Sequence, residues 1–290
     1  MLSFNLKNFT GQSEYPFFVQ YGFHENSLDM HIHEDFFELT IVLDGTAMHA
    51  INGEQHFIKK GDVFGVSHSI PHGFLECRNF KICNIMFRPE TFFLPFPHLK
   101  HCPGFHALFV LEPHMLKEQG FKSRLRLNID DFEKSERLID AMIDEYYKYE
   151  PGFMSMVTAY FVELVCFLSR RYDNNIKNDK ISSFSKAVAF IERNFTESIT
   201  SDEIATNAGL SSRHFQRQFK DTYQITPQKY ILALRMQKAM TLLSQTKESV
   251  TEIAYQCGYQ DSSLFARRFK AYTGVSPRAY REKEKISRGI

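Results

Sequence analysis

Three histidines and one glutamate near the start of the chain have the residue types and spacing of a metal site. His31 and His33 stand two residues apart, so on a β-strand they point to the same face, and His72 supplies a third imidazole. Glu38 would point away on a straight strand, but a chain reversal at residues 34–35 would return it to the same pocket. Three imidazoles and one carboxylate suit Zn²⁺, Ni²⁺, Mn²⁺ or Fe²⁺. The set therefore predicts a candidate site for a divalent transition metal.

Short strands separated by turn signals surround these residues. Asn52-Gly53 is a two-residue hairpin signal between strands at 47–51 and 55–58, and the next turn is marked by residues 60–62. Repeated short strands rich in phenylalanine favour a small barrel or sandwich with a ligand pocket. Two helical patterns follow, at 130–149 and 153–171, with apolar residues at helical spacing. They predict a helical pair packed on the barrel, or alternatively a dimer contact through one helix face.

The last hundred residues contain one pattern twice. Each copy has an Ile-Ala pair, a turn glycine, two phenylalanines four residues apart, and then Lys, Pro and Tyr, which predicts a helix-turn-helix. A long helix at 227–243, opened by a proline, joins the two copies. The copies read Ile204, Ala205, Gly209, Phe215, Phe219, Lys220, Pro227, Tyr230 and Ile253, Ala254, Gly258, Phe265, Phe269, Lys270, Pro277, Tyr280.

Polar and basic residues occupy the helix faces that the phenylalanines leave exposed. Arg and Gln side chains make bidentate contacts to guanine and adenine, so these faces predict DNA recognition. One copy alone would equally fit a solvated helix face, but two matched copies favour DNA. The candidates for DNA binding are Ser212, Arg213, His214, Gln216 and Arg217 in the first copy and Gln260, Ser262, Ser263 and Arg267 in the second, where Asp261 and Arg268 take neighbouring positions.

Charge is divided unevenly along the chain. Residues 182–290 carry 17 Lys and Arg against 10 Asp and Glu, a net charge of +7, whereas residues 1–181 carry a net charge of −6. The positive part would be drawn to phosphate. No run approaches about 18 uninterrupted apolar residues, no signal-peptide pattern opens the chain, and the five scattered cysteines are typical of reduced thiols. These features predict a cytoplasmic protein without a membrane span.

The composition and patterning predict an α+β chain with two domains. Residues 1–171 are expected to form the barrel with its helical pair. Residues 172–182, polar and without periodicity, are a linker candidate. Residues 183–290 are expected to form an all-α domain of two helix-turn-helix motifs joined by the long helix.

The run from Ala254 to Lys270, followed by Gly274-Val-Ser-Pro277-Arg-Ala-Tyr280, closely resembles the signature of AraC-family transcription regulators. Gln224 departs from it, standing where the second copy has Gly274. In the first domain, the spacing of His31, His33, Glu38 and Gly45 resembles the first cupin motif. The second cupin motif is partly kept, with matches at Gly61 and His72 and departures at Ser67, Ser69 and Glu76.

The resemblance implies a homodimeric transcription regulator that binds double-stranded DNA. Its cupin-like barrel is expected to bind an effector. In that family the inward His and Glu residues can hydrogen-bond a sugar or one another without any metal, so no cofactor is required and a metal stays an alternative. The expected effector pocket comprises His31, His33, Glu38, Thr40 and His72, and Glu252 and Asp261 are candidate contacts to RNA polymerase. The expected DNA site is two successive major grooves about 34 Å apart.

Residues 103–113, 125–127, 151–158 and 168–170 further resemble the connecting region of L-rhamnose operon regulators, which implies an activator of sugar catabolism genes with L-rhamnose as effector. Two alternatives remain open at this point. A metal-dependent cupin enzyme acting on a small sugar would use an open metal position for catalysis. A regulator of a non-sugar signal would keep the DNA-binding domain with a different pocket ligand.

Overall fold

The computed structural model of the protein describes residues 1–11, 15–115, 125–175 and 180–288. The chain forms two compact units, Met1–Ser185 and Lys186–Ile290. The first contains a β-barrel with helices, and the described residues of the second form helices and their connections. This agrees with the predicted α+β class.

The described residues of the first unit form a sheet of eight strands: β1 Leu2–Phe4, β2 Phe17–His24, β3 Leu28–His33, β4 Phe37–Ile51, β5 Glu54–Lys59, β6 Asp62–Val66, β7 His72–Phe87 and β8 Leu125–Arg126. The two longest, β4 and β7, pair antiparallel along their length and bend, so that each contributes to both halves of the barrel. The strand order is β1-β3-β7-β4-β6-β8, with β2 paired to β7 and β5 paired to β4.

The bend in β4 is centred on Gly45. Its φ is +70°, and a β-carbon there would lie 2.1 Å from the carbonyl oxygen of Asn79 on β7. The β4–β7 register shifts between Val42 and Met48, as expected for bulges that turn a strand around a barrel corner. Glycine is required because the two backbones cross too closely for a side chain.

The predicted hairpin is confirmed. Asn52 and Gly53 have φ values of 48° and 82°, and they connect β4 to β5. The predicted reversal at residues 34–35 is also present, because β3 ends at His33 and β4 begins at Phe37. Both turns set which side chains face the barrel interior.

Aromatic and aliphatic side chains fill both faces of the sheet. Val42, Phe64, Phe74, Phe80 and Ile82 belong to one buried cluster inside the barrel. Helices pack against part of the sheet, where Phe17 contacts Tyr146 and Phe161. The helices of this unit are α1 Lys7–Thr10, α2 Pro89–Phe92, α3 Pro103–His106, α4 Glu112–Met115, α5 Ile129–Lys148 and α6 Phe153–Asn175, with a 3₁₀ segment at Pro97–His101 and a π-helical segment at Ala107–Leu111.

Helix α6 is apolar because one side of it packs in the core. Phe161 lies 5.1 Å from Phe17 and 4.8 Å from Phe87, centroid to centroid, and Val157 and Leu164 are fully buried. The stretch Phe153–Tyr172, with a mean hydropathy of 1.4, is long and apolar enough to cross a membrane by length and composition. Its contacts with the barrel account for that apolar character.

The predicted linker at 172–182 is corrected at both ends. Tyr172–Asn175 complete α6, because the buried Tyr172 hydroxyl donates to Glu112 at 2.8 Å and holds this turn in place. Lys180–Ser182 begin a helix, α7 Lys180–Asn194, whose buried Ile181, Phe184 and Val188 recur at helical spacing. Residues 176–179 of the predicted linker lie outside the described residues.

The second unit contains the duplicated motif. The predicted buried residues are confirmed, since both Ile-Ala pairs and all four phenylalanines of the pattern are at most 1% exposed. Gly209 and Gly258 both have positive φ, at +68° and +81°. Gln224, which departs from the family pattern, adopts the left-handed conformation (φ 58°) that Gly274 adopts in the second copy. The helices are α8 Ser201–Asn207, α9 Ser212–Tyr223, α10 Pro227–Gln245, α11 Val250–Gln256, α12 Ser262–Thr273 and α13 Pro277–Arg288.

Candidate functional site

The four residues predicted to form a metal or ligand site converge inside the barrel. Potential ligand nitrogens of His31, His33 and His72 lie within 4.8 Å of one another. Glu38 reaches the same place, with its Oε2 3.6 Å from His33 Nε2 and its Oε1 4.0 Å from His72 Nε2. The bend between β3 and β4 therefore returns Glu38 to the histidines, as the sequence predicts.

Backbone carbonyls fix the tautomers of two of these histidines. Nδ1 of His31 donates to the carbonyl of Asp29 at 3.0 Å, and Nδ1 of His72 donates to the carbonyl of Ile70 at 3.1 Å. A carbonyl oxygen only accepts, so the proton resides on Nδ1 and Nε2 carries a lone pair. Nε2 of His72 is fully buried without a hydrogen-bond partner among the described residues. The arrangement leaves a lone pair on Nε2 of both histidines, the form in which an imidazole binds a metal or accepts a hydrogen bond.

Burial keeps the imidazoles neutral. Desolvation, followed by the neighbouring histidines, lowers the pKa of His33 to about 2 and that of His72 to about 3. Burial likewise lowers the pKa of His31. The close contact between His33 and Glu38 is therefore a contact of a neutral imidazole, although its geometry satisfies the distance criterion for an ion pair.

Glu38 belongs to a short polar array beside the histidine cluster. Burial raises its pKa to about 7, and the contact with Thr40 partly opposes this rise. Thr40 Oγ1 lies 3.1 Å from both Glu38 Oε1 and Asn84 Oδ1. A hydroxyl has one proton, so protonated Glu38 can donate to Thr40 while Thr40 donates to Asn84. Near neutral pH this array can gain or lose a proton.

Two interior polar residues were not predicted as site residues. His49 on β4 is fully buried, with its ring centroid 6.0 Å from that of His72, and Asn84 on β7 is 7% exposed beside Thr40. His49 stands an odd number of residues after Glu38, so strict alternation places it on the opposite face. The bulges around Gly45 change that parity. A glycine-centred bulge in the first motif is the signal that would have found it.

The donor set can serve two kinds of ligand. Imidazole nitrogens and a carboxyl group fit a divalent transition metal in chemical type. Nitrogens bound to one Zn²⁺ at about 2.1 Å lie no more than about 4.2 Å apart, so the rings would have to move slightly inward. The same lone pairs and the Glu38–Thr40–Asn84 array can exchange hydrogen bonds with the hydroxyls of a polyol. Binding of a metal and binding of a polyol both need the inward-facing polar residues that the sequence predicts.

The first helix-turn-helix presents a polar surface on α9. Arg213, Gln216 and Arg217 are exposed, and Ser212 and His214 are half-buried. Gln216 Nε2 donates to Ser212 Oγ at 3.5 Å, and Arg217 Nη2 lies 3.4 Å from His214 Nδ1. All five predicted residues thus share one helix. An open groove beside this surface is lined by Ser212, Arg213, Gln216, Arg217, Lys220, Thr226 and Pro227.

The second motif presents the corresponding surface on α12. Ser263, Arg267 and Arg268 are exposed, Ser262 is half-buried, and Gln260 is exposed in the turn that precedes the helix. Arg267 stands fifty residues after Arg217, at the equivalent position of the repeat. The two surfaces therefore share an arginine in the same place, whereas the first turns of the two helices differ in their polar residues.

Both candidate polymerase contacts have a structural role in this unit. Glu252 belongs to a capping box, in which its carboxylate accepts from the Ser249 backbone N–H at 2.7 Å, and this bond lowers its pKa. Asp261 is the N-cap of α12 and accepts from the backbone of Ser263 and Leu264. Both side chains remain exposed, so contact with polymerase stays a prediction.

The structural role and the proposed polymerase contact can be told apart by substitutions that retain the helix caps. Glu252→Gln and Asp261→Asn retain a hydrogen-bond acceptor but remove the charge, whereas alanine at either position would cost about 1 kcal/mol through lost capping. If either carboxylate faces polymerase, its amide variant lowers transcription by up to about fivefold, the effect of one exposed ion pair, with DNA affinity unchanged. The measurement pairs in vitro transcription with DNA binding. Equal losses in both assays, or none, would contradict a polymerase contact.

Each of the two units matches a known protein family. Residues 204–283 match a family described as a helix-turn-helix domain, and residues 17–79 match a family described as a cupin domain. The first match covers both copies of the duplicated motif. The second covers the strands that carry the histidine cluster.

Known relatives match most of the chain. The transcriptional activator RhaS of Enterobacter sp. is 30% identical, with 86% of each chain covered. RhaR of Mannheimia succiniciproducens, also named a transcriptional activator, is 28% identical, with 93% of each chain covered. A solved structure of an AraC-type DNA-binding regulator from Chromobacterium violaceum is 32% identical, covering 35% of this chain and 91% of that one, with a TM-score of 0.33.

These findings favour transcription control over the enzyme alternative, because relatives that extend over both units are named as activators and not as enzymes. The duplicated helix-turn-helix, the cupin-type barrel and the identity to RhaS agree on one assignment. The chain belongs to the AraC family of transcription regulators and is a DNA-binding regulator with an N-terminal cupin domain.

Proposed function

We propose that the protein activates sugar-catabolism genes in response to a sugar of the L-rhamnose type bound inside the barrel. The observation that carries this proposal is the buried polar cluster of His31, His33, Glu38, Thr40 and His72 in a chain 30% identical to an activator named RhaS. A sugar that binds one arrangement of the first unit more tightly shifts the population toward that arrangement. The shift then changes how the DNA-binding unit engages its operator.

The DNA-binding unit is proposed to read two tandem half-sites of double-stranded DNA. Arg213 and Arg217 are assigned to base contacts in the first motif, and Gln260, Ser262, Ser263 and Arg267 to base contacts in the second. The exposure of Arg213, Arg217 and Arg267 supports this assignment. Ser212, His214 and Gln216 complete the first surface. Successive major grooves on one side of the duplex lie about 34 Å apart.

The regulator is proposed to act as a homodimer in the cytoplasm, with RNA polymerase as a further partner. Support for the dimer comes from exposed apolar side chains where α5 meets α6, among them Tyr147, Tyr149, Met154 and Met156. Apolar side chains grouped on a surface are typical of protein interfaces. The relatives named as transcriptional activators support contact with polymerase.

A second candidate is a metal held in the same barrel. The carbonyl-fixed tautomers of His31 and His72 favour it, because such second-shell bonds orient metal-ligating imidazoles. His31, His33, His72 and Glu38 would hold the ion. A divalent transition metal bound there would supply Lewis acidity toward effector hydroxyls. In this form of the proposal, Thr40 and Asn84 orient Glu38.

Thermal unfolding of the full-length protein tests both ligands. L-rhamnose at a hundred times its Kd should stabilise the folded state by about 2.7 kcal/mol, which raises the Tm by about 5 to 10 °C. A panel should include other deoxyhexoses and pentoses, each tested with chelator and with Zn²⁺, Ni²⁺ or Mn²⁺. His72→Ala should abolish the shift, and His98→Ala, an exposed histidine of the same unit, should keep it.

The outcomes separate the candidates. A shift that L-rhamnose alone produces in chelator supports a sugar pocket without metal. A shift from metal alone supports the metal site, and a sugar shift that requires metal supports both together. Folded protein that responds to no sugar under any condition would contradict sugar control and favour a regulator of a non-sugar signal.

A further inference from the structure

Arg235, in the middle of α10, joins two segments of the DNA-binding unit that are distant in sequence. Its Nε donates to the carbonyl of Phe195 at 2.6 Å and its Nη2 donates to the carbonyl of Glu197 at 2.8 Å. Its Nη1 donates to the carbonyl of Gly258 at 3.2 Å. The guanidinium also lies 5.4 Å from the ring centroid of Tyr259. One side chain therefore holds three backbone carbonyls and an aromatic ring.

The two segments belong to different helix-turn-helix motifs. Residues 195–197 lead into α8, the first helix of the first motif, whose N-cap is Thr200. Gly258 is the turn glycine of the second motif, between α11 and α12. The segments also touch directly, because a β-carbon at Gly258 would lie 2.1 Å from the carbonyl oxygen of Thr196. Arg235 thus fastens the entry of one motif to the turn of the other.

An arginine is suited to this role for a geometric reason. Its five N–H donors lie in one plane in a fixed fork, so three carbonyls bound at once must keep their mutual positions. A lysine has its donors on one rotatable nitrogen and cannot reproduce the fork. Helix α10 packs against the second motif through Met236, Ala239 and Leu243. The guanidinium adds a connection from α10 and the Gly258 turn to the segment at 195–197, which resists rotation of one motif relative to the other.

We propose that Arg235 is a positioning residue that fixes the separation and rotation of the two recognition helices, α9 and α12, and so makes the protein selective for the spacing of its half-sites. This inference rests on the proposed reading of tandem half-sites. One base pair moves a half-site about 3.4 Å along the duplex and about 35° around it. A rigid pair of motifs cannot follow that movement, whereas a pair without the guanidinium contacts can adapt to it.

The test measures the affinity of full-length protein for duplexes of different spacing. The reference duplex is obtained by selecting random DNA on the wild-type protein, and one base pair is then inserted or deleted between its half-sites. Wild type should lose about tenfold or more with altered spacing, since a displaced motif forfeits at least one base contact. Arg235→Lys and Arg235→Met should bind the reference duplex more weakly but lose only about threefold or less with altered spacing.

Arg281→Met is the matched control. Arg281 also donates to backbone carbonyls, of Leu243 at 3.3 Å and Glu248 at 2.6 Å, but both lie at the α10–α11 junction. Its loss should weaken the unit without relaxing the spacing preference. Should the methionine variant at position 235 fail to fold, the lysine variant, which keeps the aliphatic stem and the charge, carries the test.

Two results would overturn the inference in distinguishable ways. If folded Arg235→Lys loses affinity by the same factor at every spacing, as a purely structural role predicts, Arg235 does not set the spacing. If wild type itself is indifferent to spacing, the proposed reading of tandem half-sites fails, and this inference fails with it.

Discussion

Replacing Gly258 by alanine is expected to destabilise the DNA-binding unit by about 3 kcal/mol or more, whereas alanine at Gly209 should cost only about 1 kcal/mol. The two glycines occupy equivalent turns of the repeat and have similar backbone conformations, with φ of +81° and +68°. The left-handed conformation accounts for the cost at Gly209, where a β-carbon meets no atom within 4 Å. Comparing the two alanine substitutions therefore distinguishes the cost of backbone strain from the cost of a steric clash.

The clash at Gly258 is with backbone and cannot be relieved by a side-chain rotation. A β-carbon there would lie 2.1 Å from the carbonyl oxygen and 2.7 Å from the carbonyl carbon of Thr196. Relief would require the segment at 195–197 to move away from Gly258, which also breaks the hydrogen bonds of Arg235. Moving this backbone adds the cost of overpacking to the cost of positive φ.

Denaturant unfolding of the full-length variants, followed by far-ultraviolet circular dichroism, measures both costs. Gly274→Ala is a further control, because its φ of +82° matches that of Gly258 and its surroundings are open. Similar losses at all three positions would mean that the segment at 195–197 yields easily, and the rigid connection between the motifs would then be wrong.

The helical half of the fold is the part that local sequence determines best. The duplicated spacing of Ile-Ala pairs, glycines and phenylalanines predicts each motif, and the isoleucine, alanine and phenylalanine side chains of the pattern are all buried. Two helix N-termini could also be predicted from sequence, because Thr200 to Glu203 and Ser249 to Glu252 both follow the capping-box pattern. That pattern assigns Glu252 a structural role before any role in polymerase contact is considered.

The barrel site was predictable only as far as its strands run regularly. His31 and His33 share a face by alternation, and the short turn after β3 returns Glu38 to them. His49 was missed because bulges between Val42 and Met48 change the face on which later residues of β4 point. Asn84 pairs with Thr40 across strands, and nothing in the sequence around Asn84 specifies that register.

The contact between Gly258 and Thr196 could not be predicted for a different reason. The pattern of the repeat explains why Gly258 is a glycine through its turn alone, as it does for Gly209. The approach of residues 195–197 is tertiary packing between segments about sixty residues apart, and it carries no periodic signal. Equivalent positions in a repeat thus have the same local conformation but different neighbours.

Removing both equivalent arginines of the recognition helices is expected to weaken sequence-specific DNA binding severely. Arg217 and Arg267 are each proposed to contact bases, and each contact is worth about 1 to 3 kcal/mol. Because the two residues lie on separate motifs, their effects should add, so that Arg217→Ala with Arg267→Ala costs about 2 to 6 kcal/mol. The wild-type preference for its selected duplex over random DNA should fall by about 30-fold to 10⁴-fold.

Salt dependence distinguishes base contacts from phosphate contacts. If the arginines read bases, each single variant relaxes the preference at one base pair of one half-site and leaves binding to random DNA nearly unchanged. If they contact phosphate, affinity falls uniformly for all duplexes and the slope of log K against log salt decreases by about one per residue. Lys247→Ala, an exposed lysine in the turn before α11, is the matched control for loss of charge. A uniform loss with a reduced slope would move Arg217 and Arg267 to the phosphate backbone and leave specificity to Arg213, Gln260, Ser262 and Ser263.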